Sequence, residues 1–331
     1  KRKNLMQIDI DRLSKEYAKK NILVIGDIIL DAYIYGKVDR ISQEAPVPIV
    51  AIDRKKFKPG GAANVALNLS GLGANVQLLG VTGDDNNARE LQNCFQEPEN
   101  IQLHLVKDKS RSTIVKTRII ADGKQVVRLD EEITSDIDFT LIEELIKVFN
   151  ENCKDIDGII VEDYNKGTLP KAIISHVVSY SSHHDIPVYV DPKYDNYDYF
   201  KGVRLFKPNL VEYNAIVRNK QFGDLPNSGF KFKEFLESDI LLLTLGADGM
   251  SLYHNGQHNQ IPTKARKVYD VSGAGDTVIA TFAINDLCGL EPLESSTIAN
   301  LAAGRVCEEI GVFPITVDSL KEIFSHHYNM D

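Results

Sequence analysis

The residues best suited to chemistry lie between Val271 and Thr277, in the run Val-Ser-Gly-Ala-Gly-Asp-Thr. Glycines on both sides of Ala274 allow a tight turn into a helix beginning near Asp276, with several N–H groups unpaired and directed at one spot. An anion suits that spot. With the helix dipole added, Gly273, Ala274 and Gly275 can hold the charge of a transferring phosphoryl group. Asp276, in the first turn beside this hole, is placed to accept the proton of an attacking hydroxyl. By itself Gly-x-Gly-Asp also describes an ordinary turn into a helix, so other segments must decide.

Several follow the ends of apolar runs. Asn209-Leu210-Val211-Glu212 sets an amide and a carboxylate three apart at a helix start, hence on one face. Glu212 there could order Mg²⁺ through water while Asn209 meets a phosphate; the same pair is equally the signature of an N-terminal capping box. Thr244-Leu245-Gly246-Ala247-Asp248-Gly249 has glycines that let backbone N–H groups face nucleotide phosphates, or simply form a β-turn. Pro59-Gly60-Gly61-Ala62-Ala63-Asn64 lets a ligand approach the backbone at Gly60 and Gly61, and Asn64 can offer donor and acceptor to sugar hydroxyls. Close helix–sheet packing explains the same small residues. Asp27 and Asp31 follow the run Ile22-Leu23-Val24-Ile25 and are either sugar-hydroxyl acceptors or turn residues. Asn300, among alanines on a late helix, is a plausible neighbour of adenine.

The elements that must position these residues read as α/β. Apolar runs at 22–25, 158–161, 188–190, 205–206 and 240–243 are typical of strands buried on both faces, and helical spacing marks 9–20, 139–150, 171–181, 211–219, 276–287 and 296–310. Four strand ends in succession carry polar residues, which predicts one convergent site. The segments 33–38, 47–52, 112–120 and 125–129 interrupt this rhythm, the last two flanking the hairpin signal Asp122-Gly123. They predict a small separate sheet acting as a lid, within a single domain over 1–331 whose lid segments fall at about 32–52 and 111–130. An apolar lid face needs cover, and the expected cover is a second copy, giving a homodimer.

Bulk properties narrow the classes. With 43% hydrophobic and 26% charged residues, a net charge of −9 and no long basic run, neither nucleic acid nor an anionic membrane is an expected partner. The four cysteines, at 94, 153, 288 and 307, form no Cys-x-x-Cys pair. Free thiols, no run of 18 apolar residues and no visible signal peptide predict a cytoplasmic protein. The eight histidines form no metal-binding pattern, and the pairs His183-His184 and His326-His327 read as solvated surface.

Taken together, Gly60-Gly61 with Asn64, Asn209-x-x-Glu212, Thr244-x-Gly246-x-x-Gly249 and Gly273-Ala274-Gly275-Asp276 make the chain resemble the ribokinase-like carbohydrate kinases over nearly its whole length. Gly26-Asp27-Ile28-Ile29-Leu30-Asp31, the 41–48 segment, Asp163-Tyr164-x-Lys166-Gly167 and Asp191-Pro192-Lys193 look more narrowly like the kinase half of the bifunctional heptose 7-phosphate kinase/heptose 1-phosphate adenylyltransferases. The resemblance implies a three-layer ribokinase-like fold with a mostly parallel central sheet and a small β lid. It also implies ATP and Mg²⁺ as cofactors, with Asp276 as base and 209–212 in the nucleotide site. The implied reaction phosphorylates the anomeric hydroxyl of D-glycero-β-D-manno-heptose 7-phosphate for lipopolysaccharide core synthesis. Lys193 and Lys166, and less directly Arg118 in the lid, are then candidates for the sugar phosphate. Glu162 stands where such proteins often have Ser, and the His-x-Gly-His motif of an adenylyltransferase is absent from the chain. The rival readings are another sugar kinase of this fold and a sugar-phosphate sensor without catalysis; the intact base and glycines count against the sensor.

Overall fold

The run Ile22 to Ile25 is the centre of strand β1 (Asn21–Gly26), whose successive side chains go to opposite faces. Ile22 and Val24 join one buried cluster, Leu23 and Ile25 another. A strand with a core on each side needs apolar residues throughout, which is why the run is unbroken. The computed structural model describes residues 8–218, 225–263, 268–309 and 311–328, without the side chains from 326 onward.

In chain order the elements are α1 (Ile10–Tyr17), β1, β2 (Ile28–Ile41), β3 (Pro48–Gly61), α2 (Ala62–Gly71), β4 (Asn75–Gly83), α3 (Asn86–Asn93), β5 (Ile101–Asp108), β6 (Ile114–Ala121) and β7 (Lys124–Glu131). There follow α4 (Phe139–Asn152), β8 (Gly158–Glu162), α5 (Lys171–His183), β9 (Val188–Asp191), β10 (Leu205–Phe206), α6 (Leu210–Arg218) and α7 (Asn227–Leu236). The chain continues through β11 (Ile240–Thr244), β12 (Met250–His254), β13 (Gln257–Ile261), α8 (Ala274–Leu287), α9 (Pro292–Val306) and α10 (Val317–Tyr328). Among the described residues the large sheet runs β13-β12-β11-β10-β9-β8-β1-β4-β5, parallel except for its last hairpin pair. One core lies between this sheet and α1, α2, α8, α9 and α10; the other lies under α4 to α7. This is the layered α/β architecture expected.

A second sheet of four strands, β3-β2-β6-β7, stands apart. Its strands fall in the expected segments, but β2 and β3 are far longer than 33–38 and 47–52, pairing from Ile28–Gly61 out to Ile41–Pro48. Pro48 and Pro59 do not break β3, because β3 is an edge strand and an edge tolerates missing N–H donors. Helix α8 begins at Ala274, two residues before the expected start. No helix among the described residues is long and apolar enough to cross a membrane.

Candidate active site

At the C-terminal ends of β8 and β9, facing the N-terminus of α8, three carboxylates meet. One oxygen from each of Glu162, Asp191 and Asp276 lies within 4.8 Å of the others, and Glu162 and Asp276 are buried. Parallel pairing of β8 with β9 sets Glu162 opposite Asp191, which fixes the first two. Gly273 delivers the third. Its φ of +80° in the left-handed region forms the cap of α8, and a Cβ there would come within 2.7 Å of Asn64 Nδ2.

Asp276 is held at both oxygens. Asn64 Nδ2 donates to Oδ2 at 2.6 Å, and the Tyr164 hydroxyl donates to Oδ1 at 3.0 Å. Burial pushes its carboxyl up to about 6, reinforced by neighbouring Asp191 and opposed by the two donors and by Lys207. Thr277 N–H begins the helical ladder on Gly273 O, so the N–H groups of Gly275 and Asp276 precede it. Ala274 N–H instead turns back to Val271 O at 3.2 Å, so Ala274 contributes shape where an anion-facing donor is expected. The open side of Gly275 faces the cluster: a Cβ there would sit 3.6 Å from Lys207 Nζ and 3.7 Å from Asp191 Oδ2.

The other expected residues are placed as follows. Glu212 and Asn209 form the reciprocal cap, Glu212 Oε2 accepting from Asn209 N–H at 2.8 Å and Asn209 Oδ1 accepting from Glu212 N–H at 2.9 Å. Glu212 Oε1 accepts from Lys193, whose ammonium also lies 4.8 Å from the centre of the Tyr164 ring. Burial alone would lower the Lys193 ammonium, but Asp191 and Glu212 hold it above its ordinary value. Thr244 ends β11 and bridges to Asn209. Gly246 and Gly249 both have positive φ; a Cβ on Gly249 would meet Ile261 O at 2.0 Å, and Asn300 Nδ2 donates to the adjacent Pro262 O at 2.8 Å. These two therefore shape one wall after β13. Gly60 and Gly61 close β3 against β2, where side chains would strike Asp31 Oδ2 and Asp27 O. Asn64 is engaged by Asp276 and Asn68 rather than left open for sugar hydroxyls.

Three cations expected at a sugar phosphate sit in ion pairs: Lys166 with Glu132 at 2.5 Å, Lys193 with Glu212, and Arg118 with Asp31. Asp27 faces inward, its oxygens accepting from the N–H groups of Tyr164, Lys166 and Thr168 at 2.8 to 3.2 Å. It cradles the loop that carries Tyr164. Lys207, Asp191, Glu162 and Tyr164 are the residues the sequence under-weighted. Lys207 is fully buried against Asp191, 2.7 Å away. Each follows or ends a strand, but nothing in spacing alone singles it out from the polar residues beside it.

The acidic group has the donor chemistry of a Mg²⁺ site. Carboxylate oxygens are hard ligands, and both oxygens of Glu162 are buried without a hydrogen-bond partner among the described residues. Burial, with Asp191 and Asp276 alongside, pushes the Glu162 carboxyl well up. Residues 19–316 match the pfkB family carbohydrate kinases. The chain belongs to the pfkB family of carbohydrate kinases. A Bifunctional protein HldE of Nitratiruptor is 38% identical over 308 residues, covering 92% of this chain and 65% of that protein. The HldE of Helicobacter pylori strain HPAG1 is 37% identical over 306 residues, covering 92% and 65%. The chain thus spans just under two thirds of the length of these relatives. Phosphofructokinase-2 of Escherichia coli in complex with potassium superposes with a TM-score of 0.77 at 17% identity, covering 93% of this chain and 98% of that one. Arabidopsis ribokinase with ribose and ATP gives 0.66 at 16%, covering 92% and 98%. This pfkB kinase therefore has the ribokinase-like fold, and its activity class is phosphoryl transfer from ATP, with Mg²⁺, to a sugar.

Proposed function

We propose that this pfkB kinase phosphorylates the anomeric hydroxyl of D-glycero-β-D-manno-heptose 7-phosphate, and that Asp276 is its base. The observation that carries the reading is the setting of Asp276: a buried carboxylate at a helix N-terminus, fixed by Asn64 and Tyr164, with the Lys207 ammonium in the same pocket. Asn64 and Tyr164 keep the carboxylate aimed, so a sugar hydroxyl delivered to it loses its proton as it attacks. The Gly275 and Asp276 N–H groups and Lys207 meet the charge of the moving phosphoryl group. Glu162 and Asp191 would hold Mg²⁺, which would supply further charge neutralisation. The wall formed by Thr244, Gly246, Gly249 and Asn300, with Asn209 and Glu212 at its foot, takes the nucleotide. The heptose choice is supported by the stretches around Asp31, 41–48 and Asp163 to Gly167 and by relatives carrying the HldE name.

We read the four-stranded sheet as a lid inserted into a single kinase domain. Its strand β7 is exposed along its whole length, and Val126, Val127 and Leu129 with Ile41 and Ile52 leave apolar surface in water. A second copy covering this surface is the partner we propose, with the sugar phosphate bound beneath. Free cysteines at all four positions fit a reducing cytoplasm. The test is ADP release with heptose 7-phosphate, ribose, fructose and tagatose 6-phosphate offered in turn. Turnover with heptose 7-phosphate alone supports the proposal; preference for another sugar replaces the substrate, and no turnover with any of the four removes the heptose reading.

A further inference from the structure

Val312 joins the four-stranded sheet to the head of α8. It is buried, and that sheet grips both of its backbone groups. Its N–H donates to the Tyr33 hydroxyl of β2 at 3.4 Å, and its carbonyl accepts from the Lys58 ammonium of β3. Tyr33 pairs with Lys56 across the two strands, and Lys58 lies two residues on, so Tyr33 and Lys58 share one face of the sheet. The Lys58 bond is charge-assisted. Burial and neighbouring Lys56 lower that ammonium, opposed by Asp270, Glu309 and Asp31, so the sheet holds its charge against this carbonyl at a penalty.

On its other side Val312 abuts the turn that opens α8. A Cβ on Gly273 would lie 3.7 Å from Val312 Cγ1, an ordinary packing distance. One residue earlier, Gly311 N–H donates to Asp270 Oδ2 at 3.0 Å while Ser272 N–H donates to Asp270 Oδ1 at 2.9 Å. A single carboxylate thus clips 311 to 272. A shift of the four-stranded sheet therefore reaches Gly273 through Val312, and Gly273 sets the direction of the Gly275 and Asp276 N–H groups. We infer that Lys58 and Tyr33 are positioning residues for phosphoryl transfer, holding Val312 so that the turn from Ser272 to Gly275 stays aimed at the transferring group. The inference rests on the reading of the α8 head as the phosphoryl-transfer site, and adds that the sheet proposed to cover the sugar also sets the anion-binding turn. Donors to a moving charge act only when aimed, so a loosened grip lowers turnover far more than it weakens sugar binding.

The test begins with hydrogen exchange of the ligand-free protein, read by mass spectrometry on wild type, Lys58→Met, Tyr33→Phe and Lys55→Met. Lys55 pairs with Ile34 on the opposite face of the same strand, so its variant removes a like charge without touching the grip. Amides of 270–276 are expected to exchange at least about threefold faster in Lys58→Met and Tyr33→Phe, and at the wild-type rate in Lys55→Met. Tyr33→Phe deletes one oxygen and carries the test if Lys58→Met does not fold. With whichever of the four sugars wild type phosphorylates, kcat is expected to fall at least about tenfold in Lys58→Met while the sugar KM stays within about twofold; Lys55→Met keeps both. Unchanged exchange in both grip variants, an equal rise in Lys55→Met, or a wild-type kcat in Lys58→Met would overturn the inference. Wild-type turnover with unchanged exchange rejects the grip and keeps the kinase; faster exchange without turnover on any of the four sugars keeps the grip and rejects the heptose reading.

Discussion

At the scale of single residues, the account turns on how Asp276 is tuned. Burial raises its carboxyl to about 6, and a base must be ionised to work, so kcat/KM falls about tenfold per pH unit below that value and is flat just above it. Removing the Tyr164 hydroxyl with Tyr164→Phe takes away a donor that favours the ionised form, so the acid limb of the profile moves to higher pH. A profile unmoved by this variant would show that Tyr164 does not act on Asp276. Asp276 itself is legible in the sequence because its glycines precede it by one and three residues. Tyr164 is not, since the bond that matters joins positions 112 apart. Glu212 and Asn209 show the converse: a spacing with two meanings, in which the structure displays the capping one.

Elements carry the positioning. Gly273 is both the left-handed cap of α8 and the floor under Asn64, so Gly273→Ala should strain the turn by roughly 1–3 kcal/mol and push Asn64 off Asp276. Urea denaturation should show the first effect and lowered turnover the second; unchanged turnover would separate the cap from the site. Strands β1, β8, β9 and β11 are legible because burial on both faces demands unbroken apolar runs. Strand β13 (Gln-His-Asn-Gln-Ile) has polar composition and is set by pairing with β12, a tertiary cause that local pattern does not carry. The length of β2 and β3 is hidden for the opposite reason: prolines signal an end, and only the edge position makes them harmless.

For the whole molecule, two sheets are foreseeable from the change in rhythm, while the surface left open on β7 emerges only from the strand order. If a second copy covers it, Val127→Glu combined with Leu129→Lys should shift sedimentation from dimer to monomer and leave the melting point of the large domain nearly unchanged. A wild type that sediments as a monomer at every concentration would remove the lid interface. The central claim joins site to reaction, and phosphorus NMR tests it most directly, with heptose 7-phosphate, ATP and Mg²⁺ supplied to wild type and to Asp276→Asn. The account predicts a new anomeric phosphate resonance from wild type and a rate at least about 10²-fold lower from the variant, with ATP binding little changed. An equal rate from Asp276→Asn, or phosphate appearing at another carbon, would contradict it.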